Sequence, residues 1–192
     1  MSTVIGLLRH GQTDWNIDMR LQGISDIPLN ETGHRQARRV AEILAEQEWH
    51  RVVSSPLSRA QDTARYVSEA LGLADIEIEE LLLERSFGAA EGLSYDDWRE
   101  RLQAGVVAEG AESIEDLEAR ANRLLARLAE VYEGERVLTV SHGALIRKII
   151  GMVSGGEFPR EGERFGNASL TTISCQGGVW SIVDYNPATL AD

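Results

Sequence analysis

The chain has 192 residues, 43% hydrophobic and 26% charged, the make-up of an ordinary globular protein of one domain spanning residues 1–192. Its formal net charge of -12 excludes nucleic acid and anionic membrane as partners held by bulk electrostatics, so an anionic ligand would need a locally basic pocket. A single cysteine, Cys175, excludes an internal disulfide, no apolar run reaches the roughly 18 residues of a membrane span, and MSTVIGLLRHG lacks the pattern of a signal peptide, which together point to the cytoplasm.

Residues 4–8 form a continuous apolar run, the pattern of a strand buried on both faces. It ends abruptly in Arg9, His10 and Gly11. Gly11 is expected to let the chain leave the strand without a Cβ clash. Residues 18–30 read as a loop, and 31–47 as an amphipathic helix with Ala37, Val40, Ala41 and Leu44 on one face. A second strand, 51–56, stops at Pro56, which suits the first turn of a helix running to Leu71. Residues 76–82 read as an edge strand. Ser94 with Asp97, and Ser113 with Asp116, mark two helix starts, the second opening a long helix to about Tyr132. The strand 136–141 runs into Ser141, His142 and Gly143, and a helix follows at once to about Val153. Strands 169–174 and 179–184 meet at Gln176-Gly177-Gly178 as a hairpin. The alternation predicts an α/β fold, a three-layer sandwich with a mostly parallel central sheet flanked by helices.

Three of these strands end in polar or charged residues. In an open α/β sheet, ligands bind at the carboxyl ends of the strands. The topology therefore brings Arg9, His10, Ser54, Ser55, Arg59 and His142 to one edge. Two guanidinium forks match phosphate, and backbone N–H groups at Gly143 and Ala144 add anion affinity at a helix start. Arg9, Arg59 and a protonated histidine would balance a phosphate monoester, leaving the other histidine to attack phosphorus as a neutral imidazole.

LLRHGQTDWN, with this placement, resembles the RHG signature of the histidine phosphatase superfamily, the phosphoglycerate mutase-like family. RLQGISDIPLNETGHRQA, SSPLSRAQDTA, LERSFGAAEG, VSHGALIR and FGNASL resemble its later motifs in order, covering essentially the whole chain. The resemblance implies that His10 is the nucleophile and that Arg9, Arg59 and His142 form the phosphate pocket, with Asn16 as a side-chain donor. It makes Glu84 the proton donor to the leaving oxygen. After Leu81, Leu82 and Leu83, that carboxyl is expected in an apolar setting suited to an acid. Gln22 and Gly23 are further candidates for the pocket wall. The implied activity is a phosphatase for small phosphorylated metabolites, with no cofactor and no metal, since the arginines and His142 would stabilise the transition-state charge. A homodimer stays open.

Two departures stand out. Ala89-Ala90 precedes Glu91-Gly92 where the family often has tryptophan, and residues 109–113 replace a proline- and glycine-containing turn. A mutase would carry a long basic insertion after the acid segment. Here the stretch between Glu84 and the long helix is short and net acidic, which favours hydrolysis over mutase-type phosphoryl transfer. A phosphate-binding module with little turnover is the third reading, and the presence of Glu84 argues against it.

Overall fold

The computed structural model describes residues 2–191. Six strands form one sheet in the order β3-β2-β4-β1-β5-β6. They are β1 (Thr3–Arg9), β2 (Arg51–Ser54), β3 (Ile76–Ile78), β4 (Arg136–Ser141), β5 (Leu170–Gln176) and β6 (Val179–Asp184). β3, β2, β4 and β1 run parallel; β5 pairs antiparallel with β1 and β6 with β5. The last two strands join through Gly177-Gly178, both in the left-handed region that a two-residue hairpin turn requires.

Among the described residues six α-helices accompany the sheet: α1 (Asp14–Ile17), α2 (Glu31–Leu44), α3 (Ser58–Leu71), α4 (Tyr95–Gln103), α5 (Ile114–Val131) and α6 (Gly143–Val153). Side chains alternate across β1. Ile5 and Leu7 join Leu124 and Leu128 of α5 and Ile146 and Ile149 of α6 in one core. Leu8 joins Val40 and Leu44 of α2 and Ala60, Ala64 and Val67 of α3 in another. Helices thus cover both faces, giving three layers. Each such leucine, isoleucine or valine withdrawn from water contributes about 1.5–3 kcal/mol, which fixes the strand ends that carry the polar residues.

Several expectations need correction. Residues 14–17, to which the sequence pattern assigns no element, form a short helix, because Thr13 and Asn16 make a reciprocal capping box. Pro56 lies ahead of α3, whose N-cap is Leu57. The edge strand stops at Ile78, because the Glu79 carboxylate takes the Leu81 N–H and turns the chain into a 3₁₀ turn at Glu80–Leu82. Gly11 has no left-handed φ; a Cβ there would lie 2.5 Å from the Gly33 carbonyl oxygen. Its smallness serves close packing of the loop on α2. Cys175 is buried in β5, as a small hydrophobe would be.

Candidate active site

The carboxyl ends of β1, β2 and β4 converge beneath a cavity of about 370 Å³. β1 ends at Arg9, directly beside Ser141 of β4, and the His10 N–H donates to the Ser141 carbonyl. The two histidine rings come within 5.1 Å, centroid to centroid, tilted by 56°.

The His10 ring is oriented by one contact. Its Nδ1 lies 2.6 Å from the carbonyl oxygen of Gly11. A carbonyl can only accept, so Nδ1 carries the proton and Nε2 keeps its lone pair. Burial, reinforced by Arg59 and Arg9, holds His10 well below the ordinary histidine value. The ring is therefore a neutral, fixed base.

His142 Nε2 lies 2.7 Å from Ser55 Oγ, at the end of β2. Burial, then Arg59, His10 and Arg9, hold it well below the ordinary value too. The protonated histidine expected in the phosphate pocket is thus neutral here: burial strips water from the charged form, and the guanidiniums of Arg59 and Arg9 oppose a third cation without an anion. His142 Nδ1 is buried without a partner, as are Arg9 Nε and Arg59 Nε. Buried polar nitrogens without partners are uncommon, and these three belong to one site.

Arg59 is fully buried at the first turn of α3. Its two terminal nitrogens donate to the carbonyls of Ser25, at 2.7 Å, and Gly23, at 2.8 Å. Burial lowers it to about 10, so it remains a cation at neutral pH. Arg9 is lowered by burial as well, with Glu84 opposing, and its Nη1 donates to the Phe165 carbonyl.

Glu84 faces the same cavity, in a setting that differs from the apolar one expected. Leu82 turns into the core, while the Glu84 carboxylate accepts from the N–H groups of Arg85, Ala144 and Leu145 at 2.8–3.2 Å. It sits on the start of α6, where partial positive charge gathers. The Ala144 amide, expected to serve phosphate, is thus bonded to Glu84; Gly143 lines the cavity beside it.

Asn16 Oδ1 accepts from the Thr13 N–H and from Asn167 Nδ2, both at 3.0 Å. That leaves its amide hydrogens for the cavity, which Asn16 lines. Gln22 is buried against Thr13 Oγ1, and Gly23 contributes its carbonyl to Arg59. Of the twelve residues that the sequence brings to the site, nine line the cavity directly; Ser54, Ser55 and His142 are fully buried outside its lining, with the His142 ring against that of His10.

Four supporting residues were not foreseen. Glu91 accepts from the N–H groups of Ile24, Ser25 and Phe87, tying the loop that anchors Arg59 to the segment that carries Glu84. Arg120 on α5 donates to the carbonyls of Leu81, Leu83 and Glu84 and is paired with Glu112. Asn167 Nδ2 also reaches the carbonyls of His10 and Gly11. Thr63 Oγ1 accepts from the Gly11 N–H. The Glu91-Gly92 pair and the asparagine of FGNASL were visible as motifs; Arg120 gives no signal beyond its place in an amphipathic helix.

Residues 5–188 match the sequence profile of the histidine phosphatase superfamily (branch 1). The chain belongs to that superfamily. An uncharacterized phosphatase, PhoE, of Bacillus subtilis (strain 168) is 38% identical over 184 residues, 96% of this chain and 94% of its own. The native mycobacterial glucosyl-3-phosphoglycerate phosphatase superposes with a TM-score of 0.81 at 31% identity, over 97% of this chain and 99% of its own. A phosphoglycerate mutase from Bacillus anthracis (strain Sterne) superposes with a TM-score of 0.87 at 26% identity, over 96% and 92%. The fold of this histidine phosphatase is accordingly phosphoglycerate mutase-like, and its enzyme class is that of the phosphoric monoester hydrolases. No helix among the described residues is long and apolar enough to cross a membrane.

Proposed function

We propose that this chain is a metal-independent phosphatase for small phosphate monoesters, acting in the cytoplasm as a single domain through a phosphohistidine on His10. The 2.6 Å contact from His10 Nδ1 to the Gly11 carbonyl carries the reading, because it presents Nε2 as an unprotonated nucleophile. In the first step the Nε2 lone pair attacks phosphorus. The bond from phosphorus to the ester oxygen breaks, and that oxygen takes a proton from Glu84. In the second step Glu84 takes a proton from water as the water oxygen attacks phosphorus. The phosphorus–nitrogen bond breaks, its electron pair returns to Nε2, and inorganic phosphate leaves.

Arg9 and Arg59 supply fixed positive charge for the phosphoryl oxygens, with the Asn16 amide as a further donor. A bound dianion would reverse the electrostatics at His142. Its presence favours the protonated ring, and Nδ1, unpartnered in the structure, would then donate to it. Ser55 would hold the ring in place from Nε2.

The test is phosphate release from p-nitrophenyl phosphate in EDTA, together with acid- and alkali-quenched labelling of the enzyme. Wild type should turn over and give an acid-labile, alkali-stable phosphoenzyme, and His10→Ala should give neither. Turnover that survives in His10→Ala would remove the phosphohistidine mechanism. Absence of hydrolysis with labelling intact would instead indicate mutase-type transfer.

A further inference from the structure

The cavity is much more basic than one phosphate requires. Arg9, Arg20, Arg59, Arg147 and Arg164 all line it, and among the described residues Glu84 is the only carboxylate that does. This stands in a chain of net charge -12. The five arginines divide by depth. Arg59 is buried and Arg9 half-buried, at the floor beside His10; Arg20, Arg147 and Arg164 are exposed at the rim.

A phosphate monoester brings roughly two negative charges, which the floor pair already meets. The rim cations need another explanation. Arg20 has one: Asp18 lies 3.5 Å away and the Gly92 carbonyl accepts from it at 2.8 Å. Arg147 and Arg164 have no carboxylate within 4.0 Å among the described residues. Arg147 donates to the Glu163 backbone carbonyl and lies 5.5 Å over the Phe165 ring, which holds it at the rim without neutralising it. The nearby Glu163 carboxylate is engaged by Tyr185 Oη at 2.6 Å and the Arg160 N–H at 2.9 Å. Arg164 has only a 3.8 Å contact to Met19 Sδ.

We infer that the substrate carries a second anionic group on its leaving-group side, a carboxylate or a second phosphate, and that Arg147 and Arg164 read it at the rim. The inference deepens the proposed function and rests on it for the placing of the phosphate at the floor. A guanidinium fork suits either anion, and its planar donors give orientation as well as charge. Binding energy gathered at the rim positions the ester over His10 Nε2. The net acidic outer surface would leave an uncharged leaving group without a comparable hold.

The test uses binding, with no need for turnover. In the His10→Ala protein, calorimetry would compare 3-phosphoglycerate with glycerol 3-phosphate, which differ in the carboxylate. At least tenfold tighter binding than glycerol 3-phosphate is expected for 3-phosphoglycerate or for a bisphosphate, falling below threefold in both Arg147→Gln and Arg164→Gln made on that background. A general loosening of the site would weaken both ligands and leave their ratio in place. Propane-1,3-diol bisphosphate, run alongside, separates the two anions: whichever ligand binds more tightly names the group. Equal binding of all three ligands, or a preference that survives both substitutions, would overturn the inference. Loss of hydrolysis in wild type would overturn the phosphatase reading alone, because this ratio is read without turnover.

Discussion

Glu84 accepts from three backbone N–H groups at the cavity wall, and its role demands that it both give and take a proton. Its carboxylate is aimed by the amides of Arg85, Ala144 and Leu145 at the edge of the cavity that contains His10. General acid catalysis is worth about 10²–10⁴ in rate when the leaving group is a poor one. Glu84→Gln should therefore lower kcat for an alkyl ester such as glycerol 3-phosphate by about 10² or more. On p-nitrophenyl phosphate its effect on kcat/KM should be far smaller, since p-nitrophenolate leaves without a proton, while kcat falls there too because Glu84 also serves the hydrolysis of the phosphoenzyme. Equal losses of kcat/KM on the two substrates would remove Glu84 from the acid role. Arg59 behaves differently at this scale. Its guanidinium is both a cation for phosphate and the anchor of Gly23 and Ser25. Arg59→Ala should raise KM and also lower the unfolding midpoint, two effects that thermal melts and kinetics would report together.

Between elements, the site depends on backbone approaching backbone. The loop after β1 lies on the first turn of α2 with Gly11 against Gly33. A Cβ on Gly33 would sit 2.1 Å from the Gln12 carbonyl oxygen. Neither atom belongs to a flexible side chain, so the contact can be relieved only by moving the loop that carries His10. Gly33→Ala should then cost about 1–3 kcal/mol in urea unfolding, the usual range for overpacking. It should also lower kcat on every substrate alike. Unchanged stability would show that the loop has slack. This contact marks where sequence reasoning stops. The strand ends were legible, because buried apolar runs terminating in Arg9-His10, Ser54-Ser55 and Ser141-His142 have a destination in an α/β sheet. Gly11 was legible as a necessary glycine, but the reason lay on another element 22 positions away and could be seen only after folding. Arg120 was hidden for the same reason, and so was the part played by Glu91, which the motif marked without saying what it holds. Both act on main-chain groups far off in sequence, and a carbonyl or amide carries no residue-type signature. The setting of Glu84 was misjudged because three preceding leucines describe the chain before it, while its oxygens meet the start of α6.

At the scale of the whole molecule, the charge economy of the site couples catalysis to stability. Two buried histidines share a floor with the guanidiniums of Arg9 and Arg59, and both imidazoles are held well below the ordinary value of 6.5. In the unfolded chain each histidine takes up a proton as the pH falls through about 6.5. In the folded chain they resist, first through burial and then through Arg59. Over that window the unfolded state binds more protons, so stability rises with pH, by up to about 1.4 kcal/mol per pH unit for each histidine. The contribution is complete above about pH 6.5 and is lost progressively below it. Urea unfolding of wild type should therefore show a stability that climbs between pH 5.5 and 6.5 and levels above. His142→Gln should flatten the climb by about half, whatever it does to the absolute level. Sulfate, dianionic across the whole window, should flatten it too, because an anion between the guanidiniums lets His142 keep its proton in the folded state. A climb unaffected by both the substitution and the anion would mean that the acid sensitivity arises elsewhere in the fold, and that His142 does not face the phosphate position.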